Sequence, residues 1–260
     1  MKRTPIPLQL SDFPSRFHWL LEDCQLFDSS CSPEASVWFI DKSEGFFIKS
    51  AATGELEKEA VMTAYFHQKG LGPEILDYVQ EEQDWLVTRR VPGEDCLGPR
   101  YLENHKWLCD TTAELLRQLH DTDATGCPID RTTDYIAAAQ QNYQSGHYDS
   151  SLFPDNWGYR CVADAWKKAC EAAPYLQRDT LLHGDYCLPN IILKNGELSG
   201  FIDLGSSGLG DRHIDLFWGI WSLSFNLKTS KWTDRFLDAY GRDRIQPELL
   251  ASIGAFEVFL

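Results

Sequence analysis

The chain has 260 residues, and its 39 Asp and Glu outnumber its 24 Lys and Arg, which gives a formal charge of -15 at pH 7. An acidic surface repels nucleic acid and attracts a polycation, although many proteins are acidic for solubility alone. The longest apolar run, residues 216–221, is too short to cross a bilayer. The eight cysteines lack Cys-x-x-Cys spacing, so we expect reduced thiols in the cytoplasm.

The first ninety residues read as short strands and one helix. Polar residues 41–44 form a turn between the first two strands, and the second strand ends at Lys49. The helix that follows contains Glu59. Apolar residues and breakers predict strands over 37–40, 45–49, 74–78 and 84–88 and a helix over 56–66. We therefore expect an N-terminal antiparallel sheet with one main helix.

Pro92-Gly93 is a strong local breaker, and the chain becomes helical after it. Residues 107, 111, 115 and 119 recur at four-residue steps, with Leu108 and Leu116 beside them, which predicts one buried stripe on a helix ending near His120. Lone histidines such as this one are more often packed or exposed side chains than ligands. We predict an N-terminal lobe over 1–91 and a larger, mostly helical lobe over 92–260.

A polar loop between two apolar strands is the most informative segment. It runs from His183-Gly184-Asp185 to Asn190, and a second strand ends in Asp203. Asn195-Gly196 lies between the strands and predicts a two-residue type I' turn, because both central residues of that turn need positive φ. The sequence therefore predicts a hairpin with polar side chains at its open end.

The predicted turn sets a register for the hairpin. It places Lys194 opposite Glu197 and, counting outward, Asn190 opposite Phe201. Side chains alternate along a strand, so Asn190 would lie diagonally from Asp203 on one face, with Cα atoms roughly 7–8 Å apart. Two oxygen-bearing side chains at that distance suit Mg²⁺, which takes few protein oxygens and completes its shell with water and phosphate.

Taken alone, Asp185 is more simply a turn residue, Asp203 a strand-end carboxylate and Asn190 a capping residue. Their joint occurrence favours a functional site, because His-Gly-Asp, a gap of four residues to Asn, a hairpin and Ile-Asp-Leu-Gly follow one another in order. Asp185 would then be the carboxylate that orients or deprotonates an attacking hydroxyl.

This combination of motifs resembles the aminoglycoside phosphotransferases, antibiotic-resistance kinases with a bilobal, protein-kinase-like α+β fold. The resemblance runs from about residue 30 to the end. The stretches most similar to the 3'-phosphotransferases are Leu188-Pro189-Asn190-Ile191-Ile192, Ser199-Gly200-Phe201-Ile202-Asp203 and Asp211-Arg212-His213-Ile214-Asp215. The resemblance implies phosphoryl transfer from ATP or GTP to a hydroxyl of a cationic aminoglycoside, with Mg²⁺ as cofactor and no obligate protein partner.

The resemblance also implies roles for individual residues. Asp185 would be catalytic, and Asn190 with Asp203 would hold Mg²⁺. Lys49 would bridge the α- and β-phosphates with Glu59 as its partner, a charge-assisted contact. Taken alone, these two would be ordinary surface charges.

Further nucleotide contacts follow from the same resemblance. Ser32, in the turn 32–36, would cover the phosphates, although that turn lacks the glycines of protein kinases. Arg89 and Val91 would contact the purine at the hinge. No Gly-x-x-x-x-Gly-Lys-Ser/Thr motif occurs, which excludes a P-loop NTPase.

The implied substrate residues lie late in the chain. Asp155 and Asn156 belong to a segment similar to the family's acidic insertion, and Glu257 and Leu260 lie in its C-terminal motif, the final carboxylate included. We expect these groups to surround the amines of the acceptor.

Three positions depart from related kinases. Ser206 replaces an Arg and Val258 replaces a Glu of the aminoglycoside family, which leaves room for other hydroxyl acceptors such as choline-like, macrolide or sugar compounds. Gly184 occupies the place of the Arg that senses a phosphorylated activation loop in many protein kinases, so we expect constitutive activity. A non-catalytic nucleotide-binding module is the alternative from another class, but such modules usually lose one of the core residues, which are intact here.

Overall fold

The computed structural model describes residues 3–149 and 159–260. The chain divides into two compact units by its internal contacts. One comprises Met1–Gly98 with Pro189–Gly205, and the other comprises Pro99–Leu188 with Ser206–Leu260. The hairpin is therefore grouped with the N-terminal residues in this division. The boundary between residues 91 and 92 stays a prediction.

The described residues contain strands and helices in mixed order. The strands are β1 Thr4–Ile6, β2 Gln25–Asp28, β3 Ala35–Asp41, β4 Phe46–Ala52, β5 Ile75–Gln80, β6 Gln83–Arg89, β7 Glu94–Asp95, β8 Thr180–Leu182, β9 Ile191–Lys194, β10 Glu197–Phe201 and β11 Gly208–Gly210. The helices are α1 His18–Leu21, α2 Glu57–Gln68, α3 Pro99–Leu102, α4 His105–His120, α5 Arg131–Ser145, α6 Val162–Ala172, α7 His213–Leu227, α8 Thr233–Tyr240 and α9 Pro247–Glu257. None of these helices is long and apolar enough to cross a lipid bilayer.

The first unit is built on a six-stranded antiparallel sheet of order β1-β2-β3-β4-β6-β5. Alternation along β4 gives its two faces different neighbours. Phe46 and Ile48 belong to a core with residues of the N-terminal segment, whereas Ala51 packs with Leu56 and Ala60 at the start of α2. Alternation places the side chain of residue 49 on the α2 face of the sheet.

The turn of the β9–β10 hairpin has the predicted geometry. Asn195 and Gly196 have φ of 56° and 87°, and Lys194 lies opposite Glu197. β9 also pairs with β7, which makes a second sheet of order β10-β9-β7. The Asn195-Gly196 pair therefore predicts the turn correctly.

The predicted register farther along the hairpin is wrong. A bulge between Leu198 and Gly200 shifts the pairing by one residue, so that Phe201 lies opposite Ile191 rather than opposite Asn190. The backbone N–H of Phe201 donates to the carbonyl of Leu71 at 2.7 Å. This contact with a distant segment accompanies the extra residue in β10, which simple counting from the turn ignores.

The second unit is mostly helical. α4 packs on α8 and α7, α9 packs on α6, α7 and α5, and β8 pairs with β11 in a small antiparallel sheet. The predicted stripe of α4 is buried at Leu108, Leu115, Leu116 and Leu119, whereas Trp107 and Thr111 are only half-buried and Thr112 is buried in addition. The side chain of Asn104 caps this helix by accepting from the N–H of residue 107.

Candidate active site

The ammonium of Lys49 lies between two carboxylates in the first unit. Its Nζ donates to Glu59 Oε2 at 2.7 Å and to Asp203 Oδ1 at 2.9 Å. Because Glu59 lies on α2, it faces the side of β4 that this helix covers, and it is only 8% exposed. The structure therefore contains the predicted Lys49–Glu59 pair and adds the Asp203 carboxylate to it.

The two carboxylates keep the lysine charged. Burial alone would lower the pKa of Lys49, but Glu59 and Asp203 outweigh burial and raise this pKa above its ordinary value. A permanently charged ammonium fixed at this place is suited to contact the oxygens of a polyphosphate.

Asp203 combines an unusual backbone with an accessible side chain. Its φ is 59°, in the left-handed region that Asp and Asn adopt more easily than most residues. The side chain is 53% exposed, and Lys49 contacts its Oδ1, so Oδ2 remains a separate oxygen on the same accessible group.

Asn190 is tied by its backbone to the residue before Asp203. It ends the 3₁₀ turn Leu188–Asn190, and its carbonyl accepts from the N–H of Ile202 at 3.1 Å. Asn190 therefore does not share a strand face with Asp203, as the predicted register required. It lies in a turn and is hydrogen-bonded to the residue before Asp203.

These side chains fit the chemistry of Mg²⁺ better than that of a metal held wholly by protein. No cluster of three or more His, Cys, Asp or Glu side chains arranged for a metal occurs among residues 3–149 and 159–260. Mg²⁺ often uses only one or two side-chain oxygens and takes the rest of its shell from water and phosphate. A carboxylate and an amide oxygen can meet that need.

The predicted nucleotide contacts outside this cluster lie on strand ends and a turn. The N–H of Arg89 donates to the carbonyl of Glu74 at 2.9 Å, and its guanidinium pairs with the Glu74 carboxylate. A base contact by Arg89 would therefore use its carbonyl. Val91 packs beside Gly200, since a Cβ added at Gly200 would lie 3.1 Å from Val91 Cγ1. Ser32 is exposed between β2 and β3.

Asp185 lies in the second unit on a loop held by a buried carboxylate. The N–H groups of His183 and Gly184 donate to Asp215 Oδ2 and Oδ1, each at 2.7 Å. The N–H of Asp185 donates to His183 Nδ1 at 3.3 Å, so this histidine orients the loop backbone. The loop is thus fixed on both sides of Gly184.

A glycine is required at position 184 for steric reasons. Its φ is 84°, and an added Cβ would lie 1.8 Å from the carbonyl oxygen of Ser206. An Arg of the protein-kinase type would meet this carbonyl at its first side-chain atom.

The predicted substrate residues are only partly described. Glu257 is buried at the end of α9, and its Oε1 accepts from the Tyr135 hydroxyl at 2.6 Å. Burial raises the pKa of Glu257 to about 7, and the nearby charge of Asp185 acts in the same direction. The backbone N–H of Leu260, an exposed residue, donates to the carbonyl of Glu257 at 3.3 Å. Asp155 and Asn156 lie outside the described residues.

The sequence pattern of the phosphotransferase enzyme family (APH) matches residues 24–250, a span that includes residues 49, 59, 185, 190 and 203. The chain belongs to this phosphotransferase family. Its predicted resemblance and its predicted enzyme class are confirmed.

One relative of this phosphotransferase covers nearly its whole length, and another covers about three quarters of it. It is 46% identical to a probable aminoglycoside 3'-phosphotransferase of Lactococcus lactis over 97% of both chains. It is 34% identical to a streptomycin 3''-kinase of Streptomyces griseus over 76% of this chain and 75% of that one.

Solved structures agree with the fold of this phosphotransferase. A type VIII aminoglycoside 3'-phosphotransferase superposes with a TM-score of 0.74 at 25% identity, covering 96% of both chains. An aminoglycoside phosphotransferase from Streptomyces rimosus, solved in complex with ADP and streptomycin, superposes with a TM-score of 0.67 at 20% identity, over 85% of this chain and 90% of that one. The predicted kinase-like α+β fold is confirmed.

One important residue of the phosphotransferase was not identified from its sequence. Asp215 is fully buried, and besides holding the Asp185 loop it lies 3.1 Å from His120 Nε2, whose Nδ1 lies 2.8 Å from the Tyr240 hydroxyl. The signal was present in the sequence, because an Asp between Ile214 and Leu216 in an apolar helix must find buried partners.

Proposed function

We propose that this phosphotransferase transfers the γ-phosphoryl group of a nucleoside triphosphate to an aminoglycoside hydroxyl, with the 3'-hydroxyl as first candidate. The observation that carries the proposal is the Lys49 ammonium held between Glu59 and Asp203. This cluster is suited to a bound polyphosphate and occurs in a chain 46% identical to a probable 3'-phosphotransferase.

In this proposal the phosphates are aligned by fixed charge. Lys49 contacts the α- and β-phosphate oxygens, and Glu59 holds the ammonium in place. The negative charge of the transferring group is stabilised at little reorganisation cost, because the ammonium is already oriented before the nucleotide binds.

Asp203 and Asn190 would hold Mg²⁺ in this reaction. The ion, when bound, would neutralise charge on the phosphate oxygens. Lys49 occupies one oxygen of Asp203, so the second oxygen and the Asn190 amide oxygen are the groups assigned to the metal.

Asp185 orients or deprotonates the attacking hydroxyl. Its backbone position is set by His183, which accepts its N–H, and by the Asp215 carboxylate beneath the preceding residues. Because the transition state of phosphoryl transfer is loose, most of the rate comes from this positioning rather than from strong base catalysis.

The remaining contacts separate into donor and acceptor groups. The Arg89 carbonyl, the Val91 backbone and Ser32 are assigned to the donor, ATP or GTP. The acceptor amines are assigned to Asp155, Asn156, Glu257 and the C-terminal carboxylate of Leu260. All eight cysteines are free thiols, which supports a reducing, cytoplasmic location for the enzyme.

The 3''-hydroxyl of a streptomycin-type compound is a second candidate. The 34% identity to a streptomycin 3''-kinase and the departure at Ser206 favour testing it directly. Both candidates use the same phosphoryl-transfer residues and differ only in how the acceptor is seated.

The test is turnover by the purified protein with Mg²⁺ and ATP or GTP against kanamycin-type, gentamicin-type and streptomycin-type drugs, with product masses recorded. We expect one added phosphate on kanamycin and none on its analogue without the 3'-hydroxyl. Asp203→Ala should lower turnover at least about a hundredfold, while the fold loses only the backbone strain of about 1 kcal/mol that an alanine has at φ of 59°. Asp243→Ala, at an exposed carboxylate in the second unit, is the matched control. Turnover retained in Asp203→Ala would refute the metal assignment, and no acceptor-stimulated turnover by the unmodified protein would refute the proposed function.

A further inference from the structure

Three aromatic side chains form a continuous row along α7. The rings of Trp218 and Trp221 meet edge to face with centroids 5.5 Å apart, and those of Trp221 and Phe225 stack in parallel at 5.0 Å and 9°. The row runs from a half-buried ring outward, since Trp221 is 37% and Phe225 54% exposed. We call Trp221 and Phe225 the aromatic pair.

The exposure of the aromatic pair is not explained by helix packing. Residues at positions i, i+3 and i+7 share one face of a helix, and large apolar side chains on a shared face normally face the core. Single exposed aromatics are common, but two stacked rings joined to a third make a contiguous apolar surface of the kind found at binding sites.

A cation already occupies one end of this surface. Lys228 Nζ lies 4.0 Å from the centre of the Phe225 ring, a cation–π distance. The ammonium of this lysine shows which charge the ring attracts, and the formal charge of -15 favours cationic ligands at the surface as a whole.

The row leads inward to the acceptor residues of the same unit. Trp218 is hydrogen-bonded to Glu257, and the charge of Asp185 acts on that carboxyl. Ser222 lies on α7 next to Trp221, and its hydroxyl accepts from the N–H of Leu188 at 2.9 Å, three residues after Asp185. One hydrogen bond therefore connects α7 to the loop that carries Asp185, and Trp218 contacts the Glu257 carboxyl on which the Asp185 charge acts.

We propose that the aromatic pair is the acceptor subsite for an amino-sugar ring other than the one that is phosphorylated. The apolar C–H face of the sugar would lie on the Trp221 indole, and a ring ammonium would take the place of the Lys228 ammonium on Phe225. This inference rests on the proposed function, and it names aromatic contacts in addition to the carboxylates for holding the acceptor.

The subsite should act on acceptor binding and not on phosphoryl transfer. The aromatic pair is not among the groups assigned to the nucleotide or to the reacting hydroxyl, so it should contribute equally to the ground state and the transition state. Loss of either ring should therefore raise KM and leave kcat unchanged. Loss of the Lys228 ammonium should lower KM, because this ammonium competes with that of the acceptor.

The experiment measures kcat and KM for kanamycin at saturating nucleotide, together with calorimetric titration of kanamycin in the absence of nucleotide. We expect Trp221→Ala and Phe225→Ala each to raise KM and the dissociation constant about tenfold, with kcat within about twofold. Trp221→Phe, which keeps a ring, should retain most of the affinity, and Lys228→Met should lower KM. Tyr175→Ala is the control, because Tyr175 is an exposed aromatic in the same unit outside α7.

The outcomes separate the two proposals. Turnover by the unmodified enzyme with unchanged KM in both alanine variants would overturn the subsite and leave the proposed function standing. Absence of turnover by the unmodified enzyme would overturn the proposed function, and the titration would then decide the subsite. Equal binding of kanamycin by the unmodified enzyme and both alanine variants, or no binding by any of them, would overturn the subsite.

Discussion

The buried carboxyl of Glu257 should make the stability of this phosphotransferase depend on pH. Burial raises its pKa from an ordinary value of 4.5 to about 7, so the folded chain binds this proton more tightly than the unfolded chain does. The stabilising contribution is fully present below pH 4.5 and is lost as the pH rises through about 7. One pKa unit corresponds to about 1.4 kcal/mol, so the total loss is roughly 3 kcal/mol.

Glu257→Gln removes the titration and keeps an oxygen that can accept from Tyr135. We expect the unfolding free energy of the unmodified protein, taken relative to this variant, to fall by about 2.5 kcal/mol between pH 5 and pH 8. Urea denaturation followed by tryptophan fluorescence at several pH values measures it, with equal denaturant slopes as the check that both proteins unfold alike.

Tyr135→Phe supplies an independent control for this reasoning. The Tyr135 hydroxyl hydrogen-bonds to the carboxylate and thereby lowers the pKa of Glu257, so its removal should move the loss of stability to higher pH. A difference between the unmodified protein and Glu257→Gln that stays constant from pH 5 to pH 8 would refute the assignment of a raised pKa to this carboxyl.

Two further predictions concern the loop that carries Asp185. Asp215→Ala leaves the buried N–H groups of His183 and Gly184 without their acceptor, and at about 1–3 kcal/mol for each orphaned donor we expect the unfolding free energy to drop by roughly 4 kcal/mol in urea denaturation; a drop below about 1 kcal/mol would contradict the role of this carboxylate. Gly184→Ala places a Cβ 1.8 Å from the Ser206 carbonyl oxygen and should abolish turnover and lower the melting temperature. The control Gly146→Ala, with φ of 73° and no neighbour within 4 Å, should cost only the backbone strain of about 1 kcal/mol. Equal effects of the two substitutions would contradict a steric clash between residue 184 and the Ser206 carbonyl.

Local chemistry allowed much of the candidate site to be predicted from sequence. The Asn195-Gly196 turn needs only two residues with positive φ, and the structure has it. The pairing of Lys49 with Glu59 is implied by the resemblance of the motifs and their order, and the structure has it as well. Such features depend on neighbouring residues and on motif order, both of which a single sequence contains.

Features that depend on distant contacts could not be predicted in the same way. The bulge changes the strand partner of Phe201 from Asn190 to Ile191, and it occurs where the Phe201 N–H donates to the Leu71 carbonyl. Counting residues from the turn cannot include such a distant contact. The role of Asp215 depends on its meeting His120, almost a hundred residues away in the chain. The buried face of α4 is likewise set by which helices pack on it.

The left-handed backbone at Asp203 also restricts how this chain can evolve. At φ of 59° only a few residue types, chiefly Gly, Asn and Asp, fit without appreciable strain. A descendant that lost catalysis while keeping its fold would therefore most easily carry Asn or Gly here, whereas a β-branched replacement would cost stability as well as activity. Among homologous genes, the residue at this position thus distinguishes descendants that kept an intact scaffold after losing the reaction from those in which both are failing.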